Sequence, residues 1–115
     1  MPEVISILEK QLNENAEIMD ILEAILNTVP ALEVYMFGSY ATGTAKEESD
    51  YDFYVVIPDG SMRDIEATRL IQSAIQTRNR GIDMLVGTKS KFDKYKKTIS
   101  FIENEVVRTG VKLHG

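Results

Sequence analysis

Cysteine is absent from the 115 residues, and histidine occurs once, at His114, one position from the C-terminus. Disulfides and thiolate metal sites are therefore excluded, and so is a multi-histidine metal centre. Any bound metal must be held by oxygen, which points to hard cations such as Mg²⁺ or Mn²⁺. No apolar run approaches membrane-spanning length, and the N-terminus lacks a secretion-signal pattern, so the expected address is the cytoplasm, away from any membrane. Internal repeats and low-complexity linkers are missing as well.

What remains is an ordinary globular balance, with 43% hydrophobic and 27% charged residues. A chain of this length predicts one domain, residues 1–115, around a single core. Positive charge is in short supply, and the net charge is −5. Such a domain is a poor non-specific nucleic-acid binder, because phosphate attraction needs a basic face. The lysines are nevertheless uneven: Lys89, Lys91, Lys94, Lys96 and Lys97 fall within nine positions. They read either as a solvated helix face or as a contact for an anion or partner.

Apolar residues at helical spacing (Ile5, Leu8, Leu12, Met19, Leu22, Leu26 and Val29) predict an N-terminal helix that Pro30 stops. It is either continuous to about Thr28 or broken near Asn13–Asn15. Leu32–Phe37 reads as a first strand, and Asp52–Ile57 as a second, closed by the turn Pro58–Gly60. Ser61 is expected to cap a helix carrying Met62, Ile65, Leu70, Ile71, Ala74 and Ile75 on its apolar side. Gly81 precedes a third strand, "IDMLV". Thr88 or Ser90 then caps a last helix with Phe92, Tyr95, Ile99, Ile102 and Val106 in register, which Gly110 ends. Three strands with helices between them predict an α+β or α/β layer fold.

The chemistry concentrates in "FGSYATGTAKEESDYDFYVVI", Phe37–Ile57. Asp50 and Asp52 are two apart, so an extended chain points both carboxylates to one face, with Tyr51 and Phe53 on the other. Two like charges entering a core repel and lose hydration, and a divalent cation relieves both costs. An isolated D-x-D is more often a solvent-facing strand start, so the pair alone is a weak signal. A third carboxylate, Asp83, stands at the head of the third strand. A helix joins strands two and three, so the expected connection is a parallel crossover that brings their N-terminal ends together. An antiparallel first strand would bring Gly38 and Ser39 to the same rim. Carboxylates that bridge metal ions, beside a Gly-Ser turn whose amides and hydroxyl donate to phosphate, suit phosphoryl or nucleotidyl transfer.

The same residues resemble a known family. "GSYATGTAKEESDYDFYVVI" is similar to the G-S-x-A-x-G…S-D-x-D-hydrophobic pattern of the polymerase-β-like nucleotidyltransferase superfamily. It resembles in particular the minimal nucleotidyltransferases paired with HEPN-domain toxins. The closing "IENEVVRTGVKLHG" is similar to that family's helix-then-hydrophobic ending. The resemblance implies an α+β fold with a small mixed sheet of three or slightly more strands packed with helices. It implies that Gly38 and Ser39 hold the β- and γ-phosphates of ATP and that Asp50 and Asp52 bind Mg²⁺ or Mn²⁺. Asp83 would bind the catalytic metal and help deprotonate the acceptor hydroxyl. Thr42 stands where many relatives carry arginine, which puts one phosphate or acceptor contact in doubt.

Three functions remain open at this point. The first is transfer of AMP from ATP to a hydroxyl of a protein partner, a HEPN-like toxin. The second is transfer to a small molecule, as in the aminoglycoside-modifying relatives, which usually add a helical acceptor domain. The third is an antitoxin of weak catalytic power that acts as a binding module.

Overall fold

In the computed structural model, residues 10–46, 48–75 and 80–115 are described. Helix α1, Ala16–Thr28, begins at Asn15, whose Oδ1 accepts from the Ile18 amide at 3.0 Å. This asparagine separates α1 from the short helical stretch at 10–13, so the N-terminal pattern is broken rather than continuous. The inward face of α1 is Ile18, Ile21 and Ile25. Met19 and Leu22 flank that face and Leu26 is exposed, so the buried stripe lies one position from the expected one. Ile5 and Leu8 lie outside the described residues.

Four strands form one sheet in the order β3-β2-β1-β4: β1 Glu33–Phe37, β2 Tyr51–Ile57, β3 Ile82–Thr88 and β4 Val111–His114. The expected pairings are present. β1 runs antiparallel to β2, with Phe37 opposite Asp52. β2 runs parallel to β3, with Asp52 opposite Asp83. The crossover carries helix α3, Asp64–Ala74; helix α2, Ser39–Thr42, is a single turn directly after Gly38. Strand β4 adds to the outer side of β1 and extends the expected three strands to four.

Two further expectations are corrected. Ser61 does not cap α3: its hydroxyl donates to the Pro58 carbonyl at 2.6 Å, and the helix starts three residues later. Ala67 and Ile71 are its buried residues, while Ile65 and Leu70 are exposed. The last helix is two helices, α4 Lys89–Tyr95 and α5 Ile102–Thr109. Thr88 caps α4, its Oγ1 accepting from the Lys91 amide. The chain between them turns through Thr98 N→Tyr95 O and Phe101 N→Thr98 O bonds, and the Phe101 ring returns to lie 4.3 Å from Tyr95.

The sheet divides the core by strand alternation. One face carries Val34, Met36, Phe53, Val55, Ile57, Met84 and Val86 against α1 and α3. The other carries Tyr35, Phe37, Tyr54 and Val56 against Phe92 and Val106 of α4 and α5. By alternation, Asp50, Asp52 and Asp83 belong to this second face, at its open end.

Candidate active site

Gly38 is the hinge of the site. Its φ of 73° and ψ of −155° lie in a region that only glycine enters without strain. A Cβ there would also collide with Asp52 Oδ2, so the Asp52 carboxylate rests against the Gly38 α-carbon. Ser39 follows as the first residue of α2. The turn is fixed by Ala41 N→Gly38 O and Thr44 N→Ser39 O bonds at 3.1 and 2.9 Å. Thr42, at the position where the resemblance has arginine in many relatives, is exposed and turns its hydroxyl back to the Gly38 and Ser39 carbonyls at 3.3 and 3.4 Å.

Asp52 and Asp83 face each other across the parallel pair, close enough for a proton held on one carboxyl to be shared with the other as a hydrogen bond. Partial burial, then that bond, then the charges of Asp83, Asp50 and Glu105 push the Asp52 carboxyl up to about 6. Asp50 is near enough to contribute to this, but its own carboxylate sits over the α-carbon of Gly81, where any side chain would strike it. The rim therefore brings Gly38, Asp52 and Asp83 into direct contact, with Ser39 next in the chain and Asp50 one step aside. Among the described residues no three acidic or imidazole side chains form a preassembled metal cage. The donor chemistry still fits a hard cation. Two facing carboxylates supply oxygen ligands, and the crowding that raises Asp52 is what a divalent ion relieves.

Several neighbours were not singled out by the sequence reading. Glu105 of α5 adds a third carboxylate charge, after Asp83 and Asp50, to the field at Asp52. Tyr40, Arg80 and Glu17 form a cluster behind the rim, around the buried ring of Tyr51. Their separations in sequence run from 23 to 63 residues, and no local pattern marks them. A cleft of about 430 Å³ opens along β3, bounded by Ile65, Leu85, Ile102, Lys91 and Tyr54. Tyr54 and Leu85 lie two residues beyond Asp52 and Asp83 on the same strand faces, so the cleft adjoins the rim.

Comparison with known proteins decides the family. The Nucleotidyltransferase domain family matches residues 18–112, which include Gly38, Ser39, Asp50, Asp52 and Asp83. The chain belongs to this family. Two solved structures share the fold of this nucleotidyltransferase. One is described as a toxin-antitoxin with AMP-PNP. It is 23% identical, with a TM-score of 0.59, over 87% of this chain and 73% of that one. The other is a candidate nucleotidyltransferase from Sulfolobus solfataricus, 25% identical with a TM-score of 0.54 over 76% of each chain. No curated protein matches the sequence.

Proposed function

We propose that this nucleotidyltransferase moves AMP from ATP to a hydroxyl of a protein partner, in the manner of an antitoxin acting on its toxin, in the cytoplasm. The observation that carries the reading is the seating of Asp52 between Gly38 and Asp83. It sets the glycine-serine turn directly against the carboxylates. The structural likeness to a toxin-antitoxin with AMP-PNP supports both the nucleotide and the kind of partner.

In this reading Gly38 and Ser39 hold the β- and γ-phosphates through backbone amides and the serine hydroxyl. Asp50, Asp52 and Asp83 would hold Mg²⁺ or Mn²⁺, which supplies charge neutralisation at the triphosphate when bound. The acceptor oxygen forms a bond to the α-phosphorus, and the bond from that phosphorus to the β-phosphate oxygen breaks. Pyrophosphate leaves with the electron pair. Asp83, exposed on the outer strand, takes the hydroxyl proton. The cleft beside Leu85 and Ile102 gives an acceptor chain an approach from that side.

The test uses ATP labelled separately at the α- and γ-phosphates. The α-label is expected on the partner protein and the γ-label in pyrophosphate. Calorimetry should show ATP binding with Mg²⁺ and little or none in EDTA, because the bare triphosphate would meet three carboxylates. Transfer of the γ-label, or equal affinity in both conditions, would overturn the reading. A second reading, a weak enzyme that acts mainly by binding its toxin, is favoured by one observation. Thr42 offers a hydroxyl turned to its own backbone where a cation could have met phosphate.

A further inference from the structure

We propose that Arg80 is a positioning residue that holds the glycine-serine turn and the heads of the two aspartate strands in one arrangement. This rests on nucleotidyl transfer at the rim described above.

Arg80 stands one residue before Gly81, the seat of the Asp50 carboxylate. Its guanidinium reaches three other segments at once. Nη1 donates to the Tyr40 hydroxyl, on the residue after Ser39. The same nitrogen lies 3.3 Å from the Ser49 carbonyl, one residue before Asp50. Nε forms an ion pair with Glu17 of α1 at 3.3 Å. The guanidinium carbon also lies 4.9 Å from the centre of the Tyr51 ring and 5.7 Å from that of Tyr40. The two rings meet at a tilt of 56° with their centres 4.7 Å apart, and the Tyr51 hydroxyl donates to the same Glu17 carboxylate at 2.6 Å. The Tyr51 amide in turn donates to the Gly81 carbonyl at 3.0 Å, which closes the cluster on the β3 side.

Apart from α1, which anchors the cluster through Glu17, each segment bears a residue of the rim: Ser39 on α2, Asp50 after Ser49, Asp52 after Tyr51, and Asp83 three residues beyond Arg80. No described contact of Arg80 is with Gly38, Ser39 or a rim carboxylate, so its influence runs through backbone placement. Between Gly43 and Asp50 the described chain has no helix or strand to set its distance from the turn. The planar fork, whose donors are fixed relative to one another, supplies that distance, and a lysine ammonium cannot bind in all these directions at once. Displacement of a reacting group by about 1 Å lowers rate by about 100-fold. A clamp of this kind therefore sets activity more than it sets stability.

The experiment compares Arg80→Lys, Arg80→Met, Tyr40→Phe and the Arg80→Met/Tyr40→Phe double variant. The readouts are melting temperature, affinity for a non-hydrolysable ATP analogue with Mg²⁺, and AMP transfer. Arg80→Lys keeps the charge and the Glu17 partner, so its melting temperature is expected near that of the parent. Its transfer rate is expected to fall by roughly 10- to 100-fold, and its analogue affinity by about tenfold. Tyr40→Phe should weaken the same two readouts, and the double variant should be no worse than Arg80→Met, because one interaction is removed twice. Parent-like affinity and rate in Arg80→Lys would overturn the clamp. So would losses that multiply in the double variant, or losses that only track the melting temperature. A parent that binds the analogue but transfers no AMP sinks the proposed reaction, and the affinity comparison then decides the clamp. A parent that binds no analogue sinks both.

Discussion

Asp52 carries an ionisation cost set by its neighbours, and the sign of that cost can be worked out. In the unfolded chain its carboxyl ionises near 3.8, and in the folded protein near 6. Between these values the folded state holds a proton that the unfolded state lacks, so stability falls as pH rises through the window. Above it the full cost is present; below it both states are protonated and the cost vanishes. Asp52→Asn removes the charge. In EDTA the variant is expected to melt above the parent at neutral pH, and the advantage should disappear below about pH 4. Its transfer activity should fall by ~10²–10³-fold. Unchanged turnover, or a stability gain independent of pH, would defeat the assignment. The arrangement at Asp52 was legible in the sequence because two simple rules combine: strands alternate with period two, and a crossover helix brings parallel strand heads together. Arg80, Tyr40 and Glu105 were not legible. Their roles arise from contacts between distant segments, and an arginine before a glycine or a glutamate on a helix carries no local sign of its neighbours.

Between elements, one buried hydrogen bond ties β2 to α5. The Tyr54 hydroxyl donates to Glu103 Oε2 at 2.7 Å, with the two residues 1% and 3% exposed. Burial first, and then the carboxylate, raise the tyrosine well above its ordinary range, so it stays a donor throughout the working pH range. Tyr54→Phe leaves a buried carboxylate without this donor and is expected to cost about 1–3 kcal/mol. Glu103→Gln keeps an acceptor without the charge and should cost less. Urea denaturation at neutral pH measures both, and a neutral Tyr54→Phe would show that the bond contributes little. The elements that the sequence concealed share a cause. Val111–His114 becomes a strand by pairing with β1, some seventy-five residues away, and its four residues carry too short an alternation to announce it. The break between α4 and α5 was hidden because Phe92, Tyr95, Ile99, Ile102 and Val106 keep helical spacing across it. In the fold Ile99 is 80% exposed, while Phe92 and Val106 are buried in the core. Periodicity alone does not separate one helix from two with a turn of matching length between them.

Across the whole molecule, the rim and the lysine cluster occupy opposite ends of the sheet. Tyr51 pairs with Ile82 at one end of the parallel ladder and Ile57 with Thr88 at the other, a span of roughly 20 Å at the usual rise per residue. Two of the five lysines are engaged within the chain. Lys89 bridges Glu33 and Asp93 at 3.1 Å each, and Lys96 meets Asp93 at 3.0 Å. Lys91, Lys94 and Lys97 are exposed, with Lys94 over the Tyr95 ring. The adjoining turn exposes Ile99 and Phe101. In a chain of net charge −5, a basic patch beside exposed apolar side chains suits an acidic protein surface better than a triphosphate held at the far end. The double substitution Lys91→Glu, Lys94→Glu separates these uses. ATP affinity in Mg²⁺ should match the parent, because both residues lie on the helix that follows the far end of β3, at Thr88. The complex with the proposed protein partner should weaken, and the difference from the parent should shrink as salt rises, since screening removes the attraction that the lysines supply. A large loss of ATP affinity in a folded variant would mean that the cluster serves the nucleotide. Full retention of the complex at low salt would leave these lysines as a solvated face.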